Sequence, residues 1–167
     1  MKVAIIMGSD SDYQIMKKSA EVLKKFGVDF EVSVISAHRD LDRLTTYIKS
    51  AKDNGIEVII AGAGKAAHLP GVIAAMTTMP VIGVPIKSST FDGMDALLSI
   101  VQMPPGIPVA TVAVDGSDNA ALLAVSILAM KYEVLEEKLI SYRETMKSQV
   151  LEKDKKIKEE AEQIWKS

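Results

Sequence analysis

The chain has 167 residues, with 20 Lys and Arg against 22 Asp and Glu and a formal charge of −2, so no cationic excess argues for binding nucleic acid through its phosphates. It has no cysteine, which excludes a disulfide framework, a cysteine zinc cluster and a thiol nucleophile, and fits a reducing cytoplasm. About half the residues are apolar, enough for the core of one domain, yet no apolar run approaches the roughly 20 residues that span a bilayer.

Short apolar runs alternate with helical patterns along the chain. Met1 leads into "KVAIIM" (Lys2 to Met7), too short for a signal peptide and rich in β-branched residues, which reads as a first strand ending at Gly8. "DYQIMKKSAEVLKKF" places Ile15, Met16, Ala20, Val22, Leu23 and Phe26 at helical spacing, and Gly27 ends that helix. "VDFEVSVI" alternates as a second strand. "DLDRLTTYIKSAKDN" carries Leu41, Leu44, Tyr47, Ile48 and Ala51 on one helical stripe and stops at Asn54-Gly55. "EVIIAG" is a third strand, "PGVIAAMTT" a short helix, "PVIGVP" a fourth strand and "GMDALLSIVQM" a helix. "PVATVAV" is a fifth strand, and "DNAALLAVSILAMKYEVLEEKLISYRETM" reads as one long final helix.

This β-α alternation with apolar strands predicts a five-stranded parallel sheet covered on both faces, with right-handed crossovers. The expected organisation is a single α/β domain over residues 1–145 and a charged helical extension over 146–167. The tail from Lys147 is rich in Lys and Glu, with a sparse apolar series at Val150, Leu151, Ile157, Ala161, Ile164 and Trp165. Such a charge run reads first as a solvated helix; Trp165 near its end favours docking on another subunit.

Ligands of parallel α/β sheets bind outside the carboxyl ends of the strands. That rule selects the loops "GSDSD", "SAHRD", "GAGKAAHLPG", "IKSSTFDG" and "DGSDN". In the first, Ser9, Asp10 or Ser11 can cap the following helix, or the helix start can hold a phosphate while an aspartate accepts from ribose hydroxyls. In the second, His38 stands beside Arg39, a forked donor suited to phosphate. A neighbouring cation disfavours a charged imidazole, and a neutral imidazole can take a proton and return it. The third loop matches neither a dinucleotide fingerprint, because no acid follows at the required distance, nor a phosphate loop, because no Ser or Thr follows Lys65. It is a small-residue loop that brings backbone N–H groups to a ligand, and it holds His68, the second of two histidines. Two histidines so far apart in the chain do not make a metal site, and no nucleophile elbow supports a Ser/His/Asp triad.

Together "GSDSD", "SAHR", "GAGKAAHLPG", "GVP", "SIVQMPPGIPVATVAV" and "NAALLAVSILA" resemble the class I 5-(carboxyamino)imidazole ribonucleotide mutases of purine biosynthesis, from about Met1 to about Arg143. The resemblance implies a flavodoxin-like three-layer αβα sandwich and a cytoplasmic homo-octamer with sites built from more than one subunit. It implies an isomerase that moves a carboxylate from the exocyclic nitrogen of an aminoimidazole ribonucleotide to a ring carbon, with no metal, nucleotide triphosphate or organic cofactor, and with neither nucleic acid nor membrane as partner. It places the catalytic histidine at His38, phosphate binding at Ser9 and Arg39, and ribose binding at Asp12. Ser36 and the stretch Gly64, Lys65, Ala66, Ala67, His68 and Leu69 match the lining of the base and carboxylate pocket. Three departures stand out: Lys65 where the family usually has Gly, Pro105 where it has Arg, and Asp40-Leu41 where Thr-Pro is common. Two other readings are a carboxylase of the same fold using free carbon dioxide and a non-catalytic nucleotide-binding domain. The first typically lacks "AAHLPG"; the second has no use for a proton carrier at His38.

Overall fold

A computed structural model describes residues 1–166; Ser167, the last residue of the expected tail, lies outside the described residues. The chain forms two compact units, Met1–Leu128 and Ala129–Ser167. In the first, β1 (Lys2–Met7), β2 (Asp29–Val34), β3 (Ile56–Gly64), β4 (Val81–Ile86) and β5 (Ala110–Thr111) form one parallel sheet in the order β2-β1-β3-β4-β5. Helices α1 (Tyr13–Phe26), α2 (Leu41–Ala51), α3 (Leu69–Met76), α4 (Met94–Val101) and α5 (Ser117–Ala129) complete it.

Strand alternation divides the core between two faces. On one, Ala4 and Ile6 of β1 and Ile59 and Ala61 of β3 pack with Leu44 and Ile48 of α2, Ile73 of α3 and Ile100 of α4. On the other, α1 comes so close to β3 that a Cβ on Gly62 would lie 2.4 Å from the Met16 sulfur. This face also holds a buried polar clasp. Ser117 donates to the Ile15 carbonyl at 2.6 Å, and Ser19 donates to the Ser117 carbonyl at 2.6 Å, joining α1 to α5 across the chain. Helix–sheet–helix layering with this strand order is the flavodoxin-like sandwich.

Local chemistry explains the boundaries. Gly27 ends α1 in the left-handed conformation, φ 72°, its N–H turned back to the Leu23 and Lys24 carbonyls. β1, β3 and β4 are buried almost throughout. β2, at the sheet edge, alternates and exposes Val32 and Val34. Its Glu31 is gripped by Lys2 of β1 and by the Tyr47 hydroxyl of α2. Lys2 first and Tyr47 second hold the Glu31 carboxyl below the usual range, while burial and then Glu31 push Tyr47 well above its own. This grip fixes the two elements that bracket the "SAHR" loop.

Two expectations change. The fifth strand is only Ala110–Thr111, paired with β4 at the sheet edge; beyond it, the ladder gives way to separate bonds from Val112 N–H to Gly83 and from Asp115 N–H to Pro85. The single final helix is two, α5 and α6 (Glu133–Lys166), broken at Met130–Tyr132. The second unit is essentially α6, amphipathic at its start, where Leu135 is buried, and exposed from Arg143 onward. No helix among the described residues is long and apolar enough to cross a membrane.

Candidate active site

The chain runs from β1 outward to β2 and then returns to β3 on the opposite side of β1. Between β1 and β3 the connections therefore diverge, and the strand ends leave a crevice. A cleft of about 560 Å³ opens there, walled by the loops after β1, β2, β3 and β4.

The β1 loop supplies Gly8, Ser9, Ser11 and Asp12. Ser9 accepts from the Ser11 N–H and caps a single 3₁₀ turn, Asp10–Asp12, placed ahead of α1. That turn separates capping from α1 itself, whose N-cap, Asp12, makes no side-chain cap bond. The Asp12 carboxyl is half-buried and raised above the usual aspartate range, first by desolvation and, more weakly, by the charge of Asp10; the Ser11 hydroxyl, 3.1 Å away, opposes the shift.

The β2 loop supplies Ser36, Ala37, His38 and Arg39. Arg39 reaches across to the β1 loop: its Nη2 donates to the Gly8 carbonyl at 3.0 Å and its Nε to Ser36 Oγ at 3.3 Å. Behind it, Asp40 accepts from the Arg43 N–H and caps α2. The residue in place of the family's Thr therefore keeps a helix-starting role.

Gly64 at the end of β3, the loop residues Lys65, Ala67 and His68, and Leu69 at the start of α3 form the third wall. Ala66 is exposed and does not line the cleft among the described residues. The loop turns sharply, the Ala67 N–H bonding back to Gly64, with Lys65 at φ 58° and Ala67 at φ 42°. His68 is thereby carried over β1 to meet His38. His38 Nε2 and His68 Nδ1 are 2.7 Å apart and the rings are edge to face, 81° between planes. One of these nitrogens carries a proton and the other a lone pair, so the bond survives one added proton on the pair and is broken by two. The two histidines, which the sequence puts in two strand-end loops on the same edge of the sheet, are one hydrogen-bonded unit.

Lys65 occupies a backbone conformation that disfavours side chains, and its exposed ammonium has no partner among the described residues. Left-handed backbone costs an L-residue about 1–2 kcal/mol, partly offset by the entropy a glycine loses on folding. Lys65→Gly is therefore expected to stabilise the fold by about 0.5 kcal/mol. A lower urea midpoint in that variant would show that the lysine contributes more than its strain costs.

The fourth wall was missed at the level of residues. Ile86 at the end of β4 and Lys87, Ser88 and Ser89 after it form this wall. The strand-end rule selects this loop, but serines carry no chemical signature until a partner is seen. Lys87 is not a free cation: its ammonium lies 2.9 Å from Asp92, which raises its pKa, with a smaller contribution from Asp115.

An open parallel α/β sandwich with a histidine pair and an arginine at its topological switch point presents groups able to bind an anion and to move a proton. The chain belongs to the AIR carboxylase family, whose model matches residues 2–149. It is 66% identical over 146 residues to the N5-carboxyaminoimidazole ribonucleotide mutase of Pyrococcus abyssi, covering 87% of this chain and 84% of that one. To the enzyme of the same name from Thermotoga maritima it is 56% identical over 158 residues, covering 95% and 92%. The crystal structure of PurE from Treponema denticola superposes with a TM-score of 0.86 at 31% identity, covering 93% and 97%.

Proposed function

We propose that this chain is a 5-(carboxyamino)imidazole ribonucleotide mutase of purine biosynthesis. It isomerises its substrate by moving a carboxylate from the exocyclic nitrogen to ring carbon 4. The hydrogen-bonded pair His38–His68, set in a cleft with Arg39, carries this reading. The mutase names of relatives such as those from Pyrococcus abyssi and Thermotoga maritima favour it over the free-carbon-dioxide carboxylase.

The reaction needs a proton at two places. Breaking the N–C bond releases carbon dioxide and leaves the nitrogen short of a proton. Ring carbon 4 then attacks the carbon dioxide and holds both a hydrogen and the new carboxylate. Removing that proton restores the aromatic ring, so the proton count closes. His38 gives the first proton and takes the second, and His68 stabilises whichever state His38 leaves. Arg39 and Ser9 hold the phosphate and Asp12 accepts from the ribose. Ser36 and the Gly64–Leu69 loop surround the base and retain the carbon dioxide. The same reading makes the working form a cytoplasmic homo-octamer; Phe91, Met94, Leu98 and Val101, exposed beside the β4 loop, support subunit packing there.

The deciding assay incubates the purified protein with 5-(carboxyamino)imidazole ribonucleotide, without ATP, and follows the carbon-carboxylated isomer. Efficient carboxylation of aminoimidazole ribonucleotide at low bicarbonate, without isomerisation, would assign the carboxylase instead.

Asp12 links site to stability. A carboxyl whose pKa is raised in the folded state favours folding below its unfolded pKa, and this contribution is lost as pH rises through the folded value. At neutral pH the ionised Asp12 therefore costs stability. Asp12→Asn is expected to raise Tm at pH 7, with the gain disappearing at pH 3, and to raise KM about tenfold through loss of an acceptor. Calorimetry at the two pH values, with initial rates, checks both halves.

A further inference from the structure

The β4 loop presents a polar group whose hydrogen-bonding sense is set from behind. Ser88 lines the cleft, and its hydroxyl donates to Asp95 Oδ2 at 3.1 Å. Asp95 stands in the first turn of α4. Its other oxygen, Oδ1, is buried with no hydrogen-bond partner, and among the described residues Ser88 is the side chain that donates to this carboxylate. A carboxylate is acceptor-only, and a serine hydroxyl has one proton and two lone pairs. With the proton turned to Asp95, Ser88 offers the cleft lone pairs alone.

Strand order gives this acceptor its place. Arg39 and Ser9 belong to the β2 and β1 loops, the histidine pair bridges β2 to β3, and Ser88 follows β4 on the far side. A ribonucleotide anchored by its phosphate at the β1–β2 side extends its base toward β3 and β4. The exocyclic nitrogen of that base is an N–H donor both before and after the carboxylate moves. We infer that Ser88, oriented by Asp95, accepts a hydrogen bond from the exocyclic amine and so selects amine-bearing imidazole ribonucleotides. Ser88 is a specificity residue and Asp95 a positioning residue. The inference rests on the mutase reading.

The test is a ligand-by-variant cycle. Binding of aminoimidazole ribonucleotide and of the analogue lacking the amino group is measured by calorimetry for the wild-type protein, Ser88→Ala, Ser88→Thr and Asp95→Ala. The wild type should prefer the amine by about tenfold, the worth of one hydrogen bond at a desolvated site. Ser88→Ala should bind both ligands equally, Ser88→Thr should keep the preference, and Asp95→Ala, whose serine proton is free to rotate, should lose part of it. A merely structural role would weaken both ligands alike and leave the ratio unchanged; that result, or an undiminished preference in Ser88→Ala, overturns the inference while turnover by the wild type leaves the mutase reading intact. If the wild type binds neither ribonucleotide and does not isomerise the carboxylated substrate, the mutase reading falls and this inference with it.

Discussion

His38→Asn is expected to lower kcat about a thousandfold while the Kd for the ribonucleotide stays within about threefold, since positioned acid–base groups are typically worth 10²–10⁴ in rate. The asymmetry follows from geometry. His38 is exposed at the cleft, and its side-chain bond is to His68 of the β3 loop. Asn is close to imidazole in reach and can still bond to His68, so the loop keeps its shape. What Asn cannot do is give a proton near neutral pH and take one back. With both transfers assigned to one histidine, both half-reactions should slow together. Single-turnover rates and equilibrium binding separate the two effects. Near-full turnover in the His38→Asn protein would remove His38 from the proton path and leave His68 as the carrier. Unchanged kcat with weakened binding would make His38 a contact residue.

What could be read from the sequence was what repeats or alternates. β1, bounded by Lys2 and Met7, has the same ends in the sequence reading and in the structure, because a run of buried β-branched residues bounded by Gly8 leaves little choice. Gly27 was legible for the same kind of reason: a helix that ends in the left-handed region needs it. The strand-end rule then led to the four loops that wall the cleft, while the fifth it selected, "DGSDN", lines none of it; ten of the eleven residues inferred from the resemblance lie on the cleft, Ala66 standing outside.

What was not legible depended on contacts between distant segments. The pairing of His38 with His68 requires the β2 and β3 loops to meet across β1, and no periodicity records that. The break between α5 and α6 sits in "MKY", which carries neither Gly nor Pro; the helical pattern runs through it. "PVATVAV" has the composition of a full strand, whereas the length of β5 is decided by how far the chain stays in register with β4, which is two residues. Lys65 could be seen as a departure from the family, but its left-handed backbone belongs to the folded loop.

Arg39→Ala is expected to raise KM by between about ten- and a hundredfold with kcat changed less than threefold, because a hydrogen bond to a charged group is worth about 1.5–3 kcal/mol. A guanidinium has five N–H donors. Arg39 uses one on the Gly8 carbonyl and one on Ser36 Oγ, which leaves three for a ligand in the cleft that it lines. Both protein bonds go to the loops that hold Ser9 and His38, so the side chain is fixed before a phosphate arrives, and little rotamer entropy remains to be lost on binding. The phosphate lies at the opposite end of the ligand from the migrating carboxylate. Its contacts are alike in ground and transition states, so their loss falls on KM. Arg39→Lys separates charge from fork: one ammonium cannot serve Gly8, Ser36 and a phosphate together, and KM should fall between wild type and Arg39→Ala. Competition by inorganic phosphate supplies the control, since the wild type should be inhibited and Arg39→Ala should not. If Arg39→Ala instead lowers kcat at unchanged KM, the arginine acts by holding the "SAHR" loop for His38, and the phosphate must be held elsewhere.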